Sequence, residues 1–197
     1  MKKVLVTMRV DVSATGERRD ALDQRWAVLL AAAGFTAVPA PNHLETAFTL
    51  ASDITPQGII LTGGNDLAAY GGDAPERDET ERALLEWAMG NAVPVAGVCR
   101  GMQFIQHYFG VALARVEHHV AVDHELKMGG AHRTVNSFHN WGAIETVPEL
   151  AVTAAAAGGV IEAVRHVKYP IEAVMWHPER REPFDPEDIA WLKVLFS

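Results

Sequence analysis

Gly97-Val98-Cys99-Arg100-Gly101 follows an apolar run that begins at Pro94, and it opens a stretch of helical spacing. This G-x-C-x-G pattern restricts the fold more than anything else in the chain. Two glycines at these offsets permit a tight strand-turn-helix bend around a strained residue, and the bend carries the side chain of Cys99 out of the strand. It also sets Cys99 at a helix N-terminus, where the positive end of the helix dipole favours a thiolate. A lone cysteine in an apolar strand is commonly an inert buried residue. The paired glycines argue for a nucleophile instead.

The bend demands a strand before it and a helix after it, and the rest of the sequence supplies more of both. Val4 to Val10 reads as a buried strand, and Arg18 to Ala33 as a helix stopped by Gly34. Thr36 to Pro39, Gly58 to Thr62 and Pro94 to Cys99 are short apolar runs of the kind covered on both faces by helices. Asp78 to Gly90 and Gly101 to Phe109 read as helices. Such alternation predicts an α/β fold, a mostly parallel sheet in three layers with ligands at the carboxyl ends of the strands. From Val111 to Val135 the pattern weakens into short strands and histidine-rich loops without clear boundaries. Ile161 to Val167 and Ile171 to Trp176 flank Lys168-Tyr169-Pro170 and predict a hairpin delivering His177, and Asp185 to Phe196 reads as a last helix. Residues 1–197 are expected to form one domain.

Lys and Arg number 17 against 25 Asp and Glu, a net charge of -8, which disfavours nucleic acid and anionic membrane surfaces as partners. An anionic small molecule would have to meet local arginines. One cysteine allows no internal disulfide, and the charged start MKKVLVTMRVD offers no signal-peptide apolar region, so a reducing cytoplasm is the expected setting. The apolar stretch from Ala27 to Phe35 falls short of the roughly 20 residues a membrane span needs.

A thiolate nucleophile needs a base and an acid to orient it. Met175-Trp176-His177-Pro178-Glu179 offers both, with Pro178 stiffening the spacing. The histidine precedes its acid, an order that disfavours the α/β-hydrolase arrangement. Gly63 and Gly64 directly follow a strand, so a backbone N–H there can approach a carbonyl without side-chain obstruction. Gly64 and the N–H of Arg100, next to the nucleophile, are the expected oxyanion donors.

GVCRGMQ, LTGGNDL, VNSFHN and MWHPE, in this order, resemble the class I glutamine amidotransferases over nearly the whole chain. The resemblance implies the flavodoxin-like fold of that family, with Cys99 as nucleophile, His177 as base and Glu179 as acid. It implies that Gln103 and the backbone of Asn136, Ser137 and Phe138 hold the glutamyl group, with Gly63, Asn65 and His139 as further substrate contacts. T-G-G and Arg100 replace the P-G-P-G turn and leucine of synthase-feeding members. The choice is similar to the gamma-glutamyl hydrolase branch, which cleaves gamma-glutamyl amides with water. Together with Arg77-Asp78-x-x-Glu81, the motifs further imply a cytidine-diphosphate amidate as leaving group, in capsule modification. Ammonia supply to a separate synthase and hydrolysis of other gamma-glutamyl amides, such as polyamine amides, are the alternatives. Asn140 departs from the N-S-x-H-x-Q of many branch members.

Neither a metal nor an organic cofactor is expected. His118, His119, His124 and His132 lie close in sequence, but no cysteine or carboxylate pattern beside them fixes a coordination geometry, so they read as loop or cavity-wall residues. His107 reads as a core histidine. Arg9, near a strand's carboxyl end, is a candidate contact for a nucleotide, with Arg100 second, whereas Arg18 and Arg19 read as a solvated face.

Overall fold

The computed structural model describes residues 2–197. Its strands and helices in chain order are β1 (Lys2–Thr7), β2 (Arg9–Val12), β3 (Arg18–Ala21), α1 (Arg25–Ala32), β4 (Phe35–Ala40), α2 (Leu44–Ile54), β5 (Gly58–Leu61), α3 (Pro75–Asn91), β6 (Val95–Val98) and α4 (Arg100–Tyr108). There follow β7 (Ala114–Arg115), β8 (Val120–Met128), β9 (Ala131–Phe138), β10 (Trp141–Gly142), β11 (Leu150–Ala156), β12 (Ile161–His166), β13 (Ile171–Val174) and α5 (Pro186–Leu195).

Nine strands form one sheet in the order β4-β1-β5-β6-β13-β12-β11-β8-β9. The first five are parallel neighbours and the rest antiparallel. Both faces of the parallel part are covered, and alternate strand residues serve the two sides. Leu5, Ile59, Leu61 and Val95 join α2, α3 and α4 residues in one core, whereas Val4, Val6, Ile60, Ala96 and Val98 join α1 and α5 residues in the other. This is the expected three-layer arrangement.

Two early expectations give way. The first strand stops at Thr7, and Arg9–Val12 turns back to pair with Arg18–Ala21 in a separate two-stranded ribbon. Arg18 is therefore in a strand, and the helix expected from it starts only at Arg25, where Trp26, Leu29 and Leu30 provide the buried stripe. Three consecutive charged and exposed residues, Arg18 to Asp20, suit a surface ribbon better than a core-facing helix. The stretch from Val111 onward, without clear boundaries in the sequence, contains a long hairpin of β8 and β9. Among the described residues, no helix is long and apolar enough to cross a membrane.

Candidate active site

Three neighbouring parallel strands end at the site. In register, Leu61 of β5 lies beside Gly97 of β6, and Val98 of β6 beside Val174 of β13. Chain continuing from β5 brings Gly63 and Gly64, from β6 Cys99, and from β13 His177. Residues far apart in sequence thus meet because their strands are adjacent and point the same way.

Cys99 has φ 51° and ψ -105°, a strained conformation for a residue with a side chain, and α4 starts at the next residue. Its N–H donates to the Val174 carbonyl at 2.8 Å, and its own carbonyl accepts from Gln103 N–H at 3.0 Å. The glycines around it are sterically required. A Cβ on Gly101 would lie 2.0 Å from the Leu61 carbonyl oxygen, and one on Gly97 would lie 2.6 Å from Ile105. Gly101 thus lets the start of α4 press against β5, and Gly97 lets α4 pack back on β6.

His177 faces Cys99 across Gly63. A Cβ on Gly63 would sit 2.7 Å from His177 Cε1 and 3.6 Å from Cys99 Cβ. The Nδ1–H of His177 donates to Glu179 Oε1 at 2.7 Å, which leaves Nε2 as the nitrogen for the thiol. Burial opposes a charge on this imidazole, yet the Cys99 sulfur and the Glu179 carboxylate outweigh it and raise the pKa to about 9. Asn136 fixes the backbone at the same point. Its Nδ2 donates to the His177 carbonyl at 2.9 Å and its Oδ1 accepts from His177 N–H at 2.8 Å.

The Gly63-Gly64 loop is held by Arg77. This guanidinium, fully buried on α3, donates to the carbonyls of Thr62 at 2.7 Å, Gly63 at 3.0 Å and Gly64 at 3.2 Å. It also pairs with Glu81 at 2.9 Å, and Glu81 accepts from Thr7 Oγ1 at 2.7 Å. Burial and the nearby Arg100 lower the Arg77 pKa to about 10, short of deprotonation at neutral pH. Arg100 reaches the same carboxylate of Glu81 and also Asp78. One buried acid therefore joins the loop after β5 to the first residue of α4. The Arg77-Asp78-x-x-Glu81 motif supplies this brace, and its internal role was not visible in spacing alone.

Arg100 consequently cannot serve as a phosphate contact through its side chain, which is 1% exposed and committed to two acids. Several other expected contacts have side chains engaged within the protein. The amide of Asn65 is occupied with Val10, accepting from its N–H at 2.8 Å and donating to its carbonyl at 2.9 Å, and so ties the ribbon strand β2 to the loop. Ser137 turns its hydroxyl to the His119 carbonyl at 2.6 Å. His139 lines the cavity, but its Nδ1 is bound to the Trp141 carbonyl at 2.9 Å. Gln103 donates to the same carbonyl at 3.0 Å, and Phe138 stands edge-on to His177 with ring centres 5.7 Å apart.

Gly64 separates two cavities. One, of about 340 Å³, is lined by Cys99, Gln103, Phe138 and His139. The other, of about 220 Å³, is lined by Arg9, Trp26, Gly63, His177, Glu179 and Arg180. Arg9 is half exposed and pairs with Asp11 at 3.0 Å. Arg180, beside it on the wall and stacked over Phe138 at 4.8 Å, was missed in the sequence, although its position directly after the H-P-E string was a signal. Arg18 and Arg19 pair with Glu76 and Glu17 and stay on the surface. His107 is half-buried, 3.4 Å from the Tyr70 hydroxyl.

A strained cysteine, a paired imidazole and carboxylate, and a braced glycine loop at three strand ends define a cysteine-dependent amidase. The chain belongs to the class I glutamine amidotransferase family, whose model matches residues 25–193. It is 32% identical over 184 residues to the gamma-glutamyl-CDP-amidate hydrolase of Campylobacter jejuni, covering 92% of this chain and 90% of that one. It is 27% identical over 223 residues to the gamma-glutamyl-gamma-aminobutyrate hydrolase of Escherichia coli O157:H7, covering 92% and 86%. In fold it matches a protein ascribed to the GMP synthase of Thermoplasma acidophilum with a TM-score of 0.75, at 19% identity, over 100% of this chain and 92% of the other.

Proposed function

We propose that this amidase hydrolyses a gamma-glutamyl amide through a cysteinyl thioester, with Cys99, His177 and Glu179 as its triad. The observation that carries the reading is the convergence of Cys99, His177 and Gly63 at adjacent strand ends, with His177 held by Glu179. The Cys99 thiolate attacks the gamma-carbonyl and forms a C–S bond. The N–H groups of Gly64 and Arg100 receive the oxyanion. His177 gives its proton to the departing nitrogen as the C–N bond breaks, then takes one from the water that cleaves the thioester and frees glutamate.

The larger cavity takes the glutamyl group and the smaller one the leaving group. Arg9 and Arg180 suit an anionic leaving group there, since guanidinium groups make charge-assisted bonds to phosphate oxygens. Similarity to the Campylobacter enzyme supports a cytidine-diphosphate amidate, and with it a place in surface-polysaccharide modification, in a cytoplasm where Cys99 stays a thiol.

Two measurements test this. Cys99→Ala should abolish glutamate release while the substrate still binds; full turnover would end the covalent mechanism. Arg9→Glu should weaken the nucleotide substrate strongly and spare simple gamma-glutamyl amides. Equal losses on both would remove Arg9 from the leaving-group site, and faster cleavage of polyamine amides would refute the nucleotide assignment.

A further inference from the structure

Away from the triad, the fold gathers His119, His139 and Glu162 from three segments. His119 precedes β8, His139 follows β9, and Glu162 lies on β12. His119 Nδ1 stands 3.2 Å from His139 Nε2, and Glu162 Oε1 is 3.2 Å from the first and 3.3 Å from the second. His124 on β8 brings its Nε2 to 3.5 Å from the other oxygen, Oε2. His118 and His132 stay out of the group; His132 pairs with Glu125 on the exposed part of the hairpin.

The protonation states are constrained. A carbonyl only accepts, so the His139 Nδ1 facing the Trp141 oxygen carries the hydrogen and Nε2 is the nitrogen turned to His119 and Glu162. With neutral rings, a His119 Nδ1–H given to His139 Nε2 leaves Glu162 without a donor, and only an added positive charge, a proton or a metal ion, meets it. Glu162 is fully buried, and neither of its oxygens has a hydrogen-bond partner, nor does His124 Nε2. Two ring nitrogens and a carboxylate oxygen thus converge at one buried point, where a negative charge without a positive partner is costly. A cation at that point removes the conflict.

The spacing fits a metal ion. Ligand atoms about 2.0–2.1 Å from a tetrahedral zinc lie about 3.3–3.4 Å from each other. The three atoms are already at that separation without any side chain moving, and the Trp141 carbonyl on His139 is the outer-shell partner that fixes a ligating imidazole.

We propose that His119, His139 and Glu162 bind a divalent transition-metal ion of the zinc class. The ion is structural: it ties the β8–β9 hairpin, which carries Asn136, to the central sheet through β12. Glu162 lies well beyond the sequence cluster of histidines, so spacing along the chain could not reveal it.

The test is direct metal binding to the full chain, stripped with chelator and then given Zn²⁺ or Co²⁺. The wild type should take up about one equivalent of zinc, show the intense visible bands of tetrahedral cobalt, and unfold at a higher temperature with zinc than without. Glu162→Gln should weaken binding at least about 100-fold, more than loss of an outer-shell partner does, and His132→Ala should leave it unchanged. Substoichiometric zinc, pale octahedral cobalt, or equal binding by Glu162→Gln would overturn the site and assign the cluster to a shared proton. The wild-type measurements decide even where a variant fails to fold.

Discussion

Asn136 grips the backbone of His177 from both sides, donating to its carbonyl at 2.9 Å and accepting from its N–H at 2.8 Å. The antiparallel half of the sheet thereby positions a residue delivered by the parallel half. Asn136→Ala should free the loop at His177 and reduce kcat about 100-fold, the scale of a 1 Å misplacement, with little change in KM. Asn136→Asp should be no better, because a carboxylate cannot donate to the His177 carbonyl. Steady-state glutamate release decides; an unchanged kcat in both variants would assign the clamp to the fold only.

The imidazolium of His177 should persist to unusually high pH. Its pKa is raised from 6.5 to about 9 against the opposing effect of burial, with the Cys99 sulfur the largest of the raising influences. The stabilisation this proton provides is therefore complete below 6.5 and lost as pH climbs through about 9. Turnover should fall over the same upper limb, as the proton for the leaving nitrogen disappears. In Cys99→Ala, the NMR titration midpoint of His177 should move down, and an unmoved midpoint would contradict the ion pair.

Glu81 is shared by two buried guanidinium groups, those of Arg77 and Arg100, the second of which also pairs with Asp78. Glu81→Gln keeps the shape and removes the charge, and breaking a buried pair in this way costs about 3–5 kcal/mol. Urea denaturation should register that loss. In the fraction that remains folded, kcat should drop more than KM rises if Gly64 and Arg100 are the proposed oxyanion donors, since both lose their common anchor. Wild-type stability in Glu81→Gln would show that the brace contributes nothing.

Two alanine substitutions should separate catalysis from folding. In Gly63→Ala the new Cβ meets the His177 ring, an end that can swing, so the protein should fold and lose about 100-fold or more in kcat. In Gly101→Ala the Cβ meets the Leu61 carbonyl oxygen of a central strand, which cannot retreat. Circular dichroism should find that variant unfolded or strongly destabilised, and a native melting curve would disprove the close packing of α4 on β5.

What the sequence made legible followed from local rules. The elbow, the H-P-E string and the strand-helix alternation each occupy a few consecutive residues, and the β12–β13 hairpin that ends at His177 lies where its turn predicted. Helix α2 gave no usable signal, because it buries mainly the small residues Ala47 and Ala51 rather than a wide apolar stripe. Arg18–Ala21 was misread since a charged ribbon strand lacks the apolar alternation of a core strand. Contacts between remote positions were hidden altogether: Asn65 with Val10, Arg77 with the glycine loop, and Glu162 with three histidines pair residues that only the folded sheet makes neighbours.

The link from Arg77 through Glu81 to Arg100 has a mechanical meaning. The loop after β5 and the start of α4 cannot drift apart independently, because a displacement of either must drag a shared buried carboxylate. Under the proposed role of Gly64 and Arg100 as donors, both N–H groups hang on this one tie, and their spacing is set by the same buried carboxylate. On that reading, reorganisation that other catalysts complete during each cycle is completed once, when the chain folds.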